Sequence, residues 1–465
     1  MKKNIYILIE NTKRELDAKL FLSLNLLKKN YNVIVGHKGT MWNLFPHLEP
    51  GIVFLKSYGP RNKKIIEYLK KRNFKIVCCD EEMIAPSDIA TTISLRNDVT
   101  SFEKLDLLFT VGNDDTNELK SVNNNSEKIH KTGSLRIDIL KNPINKIFEN
   151  QSKQIKSKYG NFILLATGFP RVNPLNQDPY SGIDHMFNLI VTGHNSDELL
   201  FTPKLVENAK KLFSFQRHML EIIIYFIIRF NKNYPNKKII IKPHTLEKVG
   251  FWRYLVDKRN LKNIEVIDDQ EKSSIPWLLA SDCVVTSNST IGLESFVLKK
   301  KCINYLPTED FWKVEKQLLK DTSLVIRNED KLIETLNNLD DMNTDYFEFN
   351  SENYIKNSSN ENFSIDIILS KLEQLDINLS EDEVLNINKK IYLTYLNFFR
   401  IIKDIIKKYL FFKNTSHLYK MHKNKMGNIF VFKNIQNRAM EIGKIIGIKN
   451  PKVKQIIPLV FKIYE

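Results

Sequence analysis

Two short segments carry polar residues at points where apolar strands are predicted to end. In IIIKPHT, residues 239–245, a strand is followed by Lys242 and His244. In SDCVVTSNSTIGLES, residues 281–295, a second strand runs through small polar residues into a helix. Lysine supplies a fixed charge and histidine a titratable donor, while hydroxyls and the N–H groups of a helix N-terminus bind phosphate oxygens. The two segments together predict a site for a phosphorylated ligand, with a nucleotide-activated donor preferred.

The second segment supplies the remaining donor-side candidates: Ser287, Asn288, Ser289, Thr290 and Glu294. Glu294 falls one turn into the predicted helix, where its carboxylate can accept hydrogen bonds from ribose hydroxyls. We expect the two strands to be adjacent and parallel, since the carboxyl ends of such strands form the ligand crevice of an open α/β sheet. Alternatively, the small polar residues of the second segment are ordinary helix N-caps, and Lys242 and His244 are ordinary surface residues.

Three consecutive acids follow another apolar strand, KIVCC, at residues 75–79. Asp80, Glu81 and Glu82 would lie at its carboxyl edge, where a carboxylate can take the proton of an acceptor hydroxyl. Mutual repulsion among them is expected to raise at least one pKa toward a useful range. A solvated acidic turn is the alternative interpretation.

The start of the first helix and the end of the second strand supply candidates for the acceptor side. Arg14, Glu15 and Asp17 begin the helix, and His37 leaves the strand toward the same predicted edge. Arg14 is suited to an anionic acceptor or a donor carboxylate. Glu15 is also explained by a favourable interaction with the helix dipole.

The order of strands and helices predicts the organisation of the chain, which has 465 residues. Strands alternate with helices over most of its length, which is typical of parallel, doubly wound sheets. We predict an acceptor-side domain over residues 1–158, a nucleotide-sugar-binding domain over 159–340, a polar linker over 341–375 and a basic helical extension over 376–465. A long loop at 169–200 is either a functional lid or a disordered insert.

The C-terminal segment is strongly basic. Residues 376–465 hold 17 Lys and Arg against 7 Asp and Glu, a large share of the net charge of +16. Within it, residues 389–413 have aromatic and apolar residues on one helical side and Arg400, Lys403 and Lys407 on the other. This pattern is typical of an interfacial membrane helix, and the alternative is a helix packed on its own protein.

The overall composition favours a cytoplasmic protein. The four cysteines lie in apolar strand-like runs without metal-ligand spacing, which indicates buried free thiols in a reducing compartment. The N-terminus MKKNIYILIE is read as a first strand, because no cleavage site for a signal peptide follows it. We predict a protein peripherally associated with the anionic inner leaflet through its basic helix, and no nucleic-acid partner.

Several motifs, in order along residues 1 to 340, resemble the bacterial surface carbohydrate biosynthesis family (capsule and lipopolysaccharide) of GT-B glycosyltransferases, which is related to the Kdo transferases. The matching pieces are IENTKRELDAKL (Ile9 to Leu20), VGHKG (Val35 to Gly39), CDEEM (Cys79 to Met83), TGSLRIDIL (Thr132 to Leu140), KPHTLEKVGFW (Lys242 to Trp252) and WLLASDCVVTSNSTIGLESFVLKKKCINYLP (Trp277 to Pro307). One departure is that His244 is followed by Thr245, where the family has His-Pro.

The resemblance implies a GT-B fold, in which two Rossmann-like, doubly wound α/β domains face a cleft. It also implies transfer of a sugar from a nucleotide-activated donor, with a CMP-linked ulosonic acid such as Kdo preferred, to a growing surface polysaccharide or glycolipid. No DxD motif is found, so no metal or cofactor is expected, and Lys242, His244 and the Ser289/Thr290 region would stabilise the departing phosphate. Glu82 is preferred over Glu81 as general base by the resemblance and its position.

Three alternatives to a sugar transferase remain. Two are enzymes of related architecture: a CDP-glycerol-type glycerophosphotransferase and a sugar-nucleotide epimerase, which would need no acceptor. The third is a non-enzymatic, basic membrane- or nucleic-acid-binding protein that acts through its tail, an interpretation that leaves the ordered motifs unexplained.

Overall fold

The chain divides into two α/β units. The computed structural model describes residues 2–84, 86, 89–175, 203–268, 273–307, 317–342, 354–357, 362–377, 395 and 432–465. Unit 1 contains residues 1–147 and 352–465, and unit 2 contains residues 148–351. Unit 1 therefore contains residues 1–147 of the predicted first domain together with residues 352–375 of the predicted linker and all of the predicted extension.

Unit 1 is built on an eight-stranded sheet in the order β13-β14-β2-β1-β3-β4-β5-β6. Its strands are β1 (Lys3–Ile9), β2 (Tyr31–His37), β3 (Ile52–Leu55), β4 (Lys75–Cys79), β5 (Leu107–Thr110), β6 (Ile129–Lys131), β13 (Lys452–Ile457) and β14 (Val460–Tyr464). The strands from β1 to β6 pair in parallel, whereas β14 is antiparallel to both β2 and β13. β3 is buried along its whole length, as expected for a strand covered on both faces.

Helices connect these strands, as a doubly wound sheet requires. The described helices of unit 1 are Thr12–Lys28, Lys38–Leu44, Lys63–Lys71, Ile89–Arg96, Val99–Glu103, Asn113–Val122, Leu135–Asp138, Ser364–Glu373 and Phe432–Ile446. The first helix is capped by Asn11, whose side chain accepts a hydrogen bond from the Lys13 amide. Leu16, Leu20 and Leu24 of that helix are buried, so its i, i+4 apolar stripe packs in the core.

Unit 2 has a parallel sheet of six strands in the order β12-β11-β10-β7-β8-β9. Its strands are β7 (Ile163–Ala166), β8 (Ile239–Lys242), β9 (Ile264–Val266), β10 (Cys283–Thr286), β11 (Cys302–Tyr305) and β12 (Leu324–Ile326). Its described helices are Glu149–Tyr159, Pro203–Asn233, Val249–Lys258, Ile275–Ala280, Ile291–Val297, Gln317–Asp321 and Glu329–Asn337. The prediction of two doubly wound α/β domains is confirmed.

The two faces of the unit 2 sheet bury different side chains, because neighbouring residues of a strand point in opposite directions. On one face, Ile163 and Leu165 pack in the same core as Phe226 and Phe230 of the long helix Pro203–Asn233. On the other face, Leu164 packs in a core with Trp277. This burial fixes the register of β7, and with it the positions of the loops at its ends.

Each sheet has a point at which the strand order reverses. In unit 1 the chain passes from β1 to β2 on one side and then places β3 on the other side of β1. In unit 2, β8 lies on one side of β7 and β10 on the other. The expectation that β8 and β10 are adjacent is therefore wrong: β7 lies between them, because it is the first strand of its sheet and the later strands extend from both of its edges. Ligands of open α/β sheets bind at such switch points.

The end of the tail also differs from the predicted helical extension. Residues 432–446 are helical, but β13 and β14 follow and extend the sheet of unit 1 beyond β2. Val453, Ile457, Val460 and Ile463 are buried in these strands, and their burial explains why this basic segment adopts strands. Of residues 389–413, only Tyr395 is described, so the predicted amphipathic helix lies outside the described residues.

Three further features considered in the sequence are the cysteines, the long loop and the chance of a membrane-spanning helix. The four cysteines are all buried and free. Of the predicted long loop at 169–200, residues 176–200 lie outside the described part of the chain. Among the described helices, none combines the length and the apolar character needed to cross a bilayer.

Candidate functional site

Lys56 is at the centre of a group of charged residues at the switch point of unit 1. It directly follows β3, and its Nζ lies 3.1 Å from Glu15 Oε1 and 3.3 Å from Glu82 Oε1. Arg14 Nη1 lies 3.4 Å from the same oxygen of Glu82. Lys38, which follows β2, lies 3.7 Å from Glu10 Oε2, after β1. We call Glu10, Arg14, Glu15, Lys38, Lys56 and Glu82 the ion cluster.

The ion cluster fixes the protonation state of Glu82. Burial favours the neutral acid, but the charges of Arg14 and Lys56 outweigh it and lower the pKa of Glu82 to about 2. Burial would lower the pKa of Lys56, yet the charges of Glu15 and Glu82 raise it. Glu82 is therefore an anion at neutral pH, well placed to accept a hydrogen bond but a weaker base than an ordinary carboxylate.

Asp80 and Glu81 are turned toward other partners. Asp80 accepts two hydrogen bonds from the guanidinium of Arg96, at 2.7 and 2.8 Å, and burial raises the pKa of its carboxyl group. Glu81 is only 3% exposed and lies 3.5 Å from Lys19 Nζ, which is itself fully buried. Mutual repulsion among the three acids is therefore not the main cause of their pKa shifts. Burial raises the pKa of Asp80, and neighbouring cations lower that of Glu82.

Asp17 and His37 are not part of the ion cluster. Asp17 binds Arg438 of the helix Phe432–Ile446 through two contacts of 2.6 and 2.9 Å, so it joins the first helix to the tail. His37 ends β2, where its Nδ1 lies 3.4 Å from Thr40 Oγ1. Of the four acceptor-side candidates, the structure thus brings Arg14 and Glu15 together with Glu82 but directs Asp17 elsewhere.

In unit 2, Lys242 and His244 lie at the carboxyl end of β8, as predicted. Lys242 is the last residue of the strand and only 8% exposed, whereas the His244 side chain is exposed. The Leu246 amide donates to His244 Nδ1 at 3.2 Å. A neutral imidazole that accepts at Nδ1 carries its proton on Nε2, so this hydrogen bond assigns Nε2 as the donor nitrogen.

Glu247 is a residue that the sequence analysis missed. Its carboxylate is fully buried. Oε1 accepts from Thr167 Oγ1 at 2.8 Å, from the Phe169 amide at 3.0 Å and from the His244 amide at 3.1 Å. Oε2 accepts from Trp252 Nε1 at 3.0 Å. Glu247 therefore ties the loop after β7 to the loop after β8.

The loop after β10 holds the remaining donor-side candidates. Asn288 has a left-handed backbone with φ of 56°, and its amide donates to Asn304 Oδ1 at 2.8 Å. Ser289 Oγ accepts weakly from the Ile291 amide at 3.4 Å, and Thr290 directly precedes the helix. Ser287 Oγ is buried and has no hydrogen-bond partner among the described residues.

Glu294 lies in the helix Ile291–Val297, where it is partly buried. Its Oε2 accepts a hydrogen bond from Ser274 Oγ at 3.2 Å. The sequence predicted the position of Glu294 but not its partner Ser274, which directly precedes the neighbouring helix Ile275–Ala280.

The donor-side candidates lie at the ends of β8 and β10, on either side of β7. The structure adds Lys56 and Glu247 to the predicted residues. Lys56 directly follows an apolar strand, the same signal that identified Asp80 and Lys242, whereas Glu247 carries no comparable signal. Within the described residues, no three His, Cys, Asp or Glu side chains are arranged to hold a metal ion.

Comparison with known proteins reveals similarity in fold. No family model matches the chain, and no curated protein matches it. A crystal structure of UDP-GlcNAc 2-epimerase from Neisseria meningitidis bound to UDP-GlcNAc matches with 14% identity and a TM-score of 0.50, covering 81% of this chain and 100% of that one. A second UDP-N-acetylglucosamine 2-epimerase structure has 13% identity and a TM-score of 0.50, with coverages of 82% and 100%.

A structure of the wall teichoic acid polymerase TagF also matches, with 14% identity and a TM-score of 0.47, covering 80% of this chain and 89% of that one. At such identities the two epimerase structures establish the fold and nothing more. The chain therefore has a GT-B-type fold built from two Rossmann-like α/β domains.

Proposed function

We propose that the protein is a glycosyltransferase that moves a sugar from a nucleotide-activated donor to a surface polysaccharide or glycolipid. The observation that carries this proposal is the arrangement of Lys242, His244 and the loop 287–290 on either side of β7, at the switch point of a parallel sheet. Phosphorylated ligands are expected at this position in such a sheet. The ordered motifs that resemble the surface carbohydrate family point to the same class of reaction.

On the donor side, each residue has a role that follows from its chemistry. Departure of the nucleotide leaves negative charge on its terminal phosphate, which the ammonium of Lys242 and the Nε2–H of His244 stabilise. Ser287, Ser289 and Thr290 offer hydroxyl donors, and the amide of Asn288 is already held by Asn304. Glu294 accepts hydrogen bonds from the ribose hydroxyls.

On the acceptor side, we propose that Glu82 receives the proton of the attacking hydroxyl. The new glycosidic bond forms at that oxygen while the bond between the sugar and the donor phosphate breaks. The low pKa of Glu82, about 2, makes proton transfer late, once the hydroxyl has become acidic by bonding to the sugar carbon. Arg14 lies beside Glu82 and is suited to an anionic sugar, in line with our preference for a CMP-linked ulosonic acid.

The second candidate is a sugar-nucleotide epimerase, because the two epimerase structures share the fold. The products separate the two functions. An epimerase converts the nucleotide sugar without an acceptor and leaves the nucleotide attached, whereas a transferase releases free nucleotide only when an acceptor is present. A CDP-glycerol-type transferase is distinguished by the donor that it binds.

Calorimetric titration with CMP-, CDP-, UDP- and GDP-linked donors tests the donor site. We expect one nucleotide class to bind preferentially and the Glu294→Ala variant to bind it about tenfold or more weakly, since a lost hydrogen bond to a charged group costs about 1.5–3 kcal/mol. Glu265→Ala, on the exposed part of β9, is the matched control and should bind as the wild type does. Equal affinity of the Glu294→Ala variant would remove this residue from the donor site.

We also propose that residues 389–413 bring the enzyme to an anionic membrane surface. Basic residues near such a surface contribute about 1 kcal/mol each. The triple change of Arg400, Lys403 and Lys407 to Gln should therefore reduce flotation with anionic liposomes, and added salt should reduce flotation of the wild type. Truncation before Lys389 is unsuitable, because it would also remove β13 and β14 from the unit 1 sheet.

A matched control for this triple change is available in the same tail. Changing Lys449, Lys452 and Lys454 to Gln removes the same charge from exposed positions outside the proposed helix. Equal flotation of the two triple variants would show that total charge, and not residues 389–413, binds the membrane. No flotation of the wild type would contradict the membrane proposal altogether.

A further inference from the structure

We propose that Glu247 is a positioning residue that holds His244 in place for the nucleotide phosphate, an inference that rests on the function proposed above. Glu247 does not need to touch the ligand for this role. It acts through the backbone amide of His244, which donates to its Oε1 at 3.1 Å.

The surroundings of Glu247 are unusual for a carboxylate. It is fully buried, and it accepts hydrogen bonds from the amides of Phe169 and His244, the Thr167 hydroxyl and the Trp252 indole. Asn173 Nδ2 contributes a longer contact of 3.4 Å to Oε2. Burial raises the pKa of Glu247, and these donors oppose the increase. A buried carboxylate is costly unless its hydrogen bonds are satisfied, and an apolar side chain here would leave these buried donors without an acceptor.

The Glu247 carboxylate fixes the relative positions of the segments that donate to it. Thr167 and Phe169 follow β7, the strand at the switch point of unit 2, and His244 follows β8. Trp252 belongs to the helix Val249–Lys258, which begins just after Glu247. One side chain therefore joins the ends of two neighbouring strands and the next helix. Buried polar networks that are satisfied in this way hold their members in a single arrangement.

His244 is constrained at two points. Its backbone amide donates to Glu247 Oε1, and its ring accepts the Leu246 amide at Nδ1. The first hydrogen bond fixes the backbone of His244 just after the end of β8. The second fixes the orientation of the ring and leaves the proton of the neutral imidazole on Nε2. Without Glu247 the amide of His244 would lose this acceptor, and the link between the His244 backbone and the end of β7 would be broken.

A double-mutant cycle tests this coupling with the full-length protein. The variants are Glu247→Gln, His244→Ala and the combination, and the probe is whichever of CMP, CDP, UDP and GDP binds the wild type most tightly. Glutamine keeps the size of the side chain but carries no charge, so the hydrogen bond from the His244 amide is no longer charge-assisted, even with the glutamine oxygen in the position of Oε1. We expect Glu247→Gln to weaken binding about tenfold, the change expected for one lost charge-assisted hydrogen bond.

The decisive measurement is the double variant. If Glu247 acts through His244, the double variant binds the nucleotide as weakly as His244→Ala alone, whereas independent roles give additive losses. Trp252→Phe is the matched control: it removes another donor to Glu247, so it should lower the melting temperature without changing the effect of His244→Ala. Additive losses, or unchanged binding by Glu247→Gln, would overturn the positioning role. Unchanged binding by His244→Ala would instead overturn the proposed donor site.

Hydrogen exchange on the wild-type protein supplies a second test that needs no variant. The amide of His244 should exchange more slowly than that of the neighbouring Thr245, because it is bonded to a buried carboxylate. Equally rapid exchange at the two amides would overturn the inference, even if Glu247→Gln fails to fold.

Discussion

His244→Ala is expected to reduce turnover by about 100- to 1000-fold, the usual cost of removing one donor to a developing anion. The imidazole Nε2–H is assigned as a donor to the departing phosphate, and alanine supplies nothing in its place. The fold should remain intact, because the side chain is exposed and the backbone amide of residue 244 can still donate to Glu247. Turnover is measured as release of free nucleotide in the presence of acceptor.

His218→Ala is the matched control for this change. His218 is an exposed histidine of the same unit, on the helix Pro203–Asn233, and its removal should leave turnover unchanged. If His244→Ala and His218→Ala turn over at equal rates, the assignment of His244 to the phosphate is incorrect.

Lys19→Met is expected to lower the free energy of unfolding by about 3–5 kcal/mol, the cost of breaking a buried ion pair by removing one partner. Lys19 is fully buried and Glu81 is 3% exposed, so the change leaves the Glu81 carboxylate in the interior without its cation. Lys19 Nζ also lies 4.4 Å from the centroid of the Phe54 ring, a contact that methionine retains only in part. Denaturant unfolding measures the loss.

Two further variants test whether the loss of stability comes from the buried pair of Lys19 and Glu81. Lys19→Met combined with Glu81→Gln removes both charges and should recover most of the lost stability. Lys153→Met removes the cation of an exposed pair with Glu149 and should cost less than about 1 kcal/mol. If Lys19→Met costs no more than Lys153→Met, the pair contributes no more than a surface pair. In either case, activity of Glu81 variants has to be compared with their stability before any catalytic role is assigned.

Apolar runs made most of the fold predictable. The predicted limits of β4, residues 75–79, match the structure, because its four consecutive apolar residues lie between Lys75 and Asp80. The short strands β6 and β9 were missed, since IHK and IEV each have a charged or polar residue at the centre or the end. β13 was missed for another reason: its lysines alternate with buried residues, and the net charge of the tail dominated its interpretation.

The candidate site was most predictable where a polar residue ends or directly follows an apolar strand. Lys242 lies where it was predicted. Lys56 also lies at the end of an apolar strand, but it was not among the predicted site residues. Glu247 is different, because its burial depends on Thr167 and Trp252, which approach it only in the folded sheet. Likewise, the preference for Glu82 over Glu81 did not include the different surroundings that the fold gives them. Lys19 holds Glu81 in the interior, while Arg14 and Lys56 surround Glu82.

The pairing of β14 with β2 has a consequence for the order in which the protein is made. A ribosome adds residues from the N-terminus onward, so every residue of unit 2, 148–351, is available while part of unit 1 is still missing. Until residues 460–464 emerge, β2 has an open edge with unpaired backbone groups. Unit 1 thus begins first and finishes last during translation. In a nascent chain that pauses within the tail, the open edge of β2 is accessible to other chains, and chaperone binding would prevent aggregation at this edge.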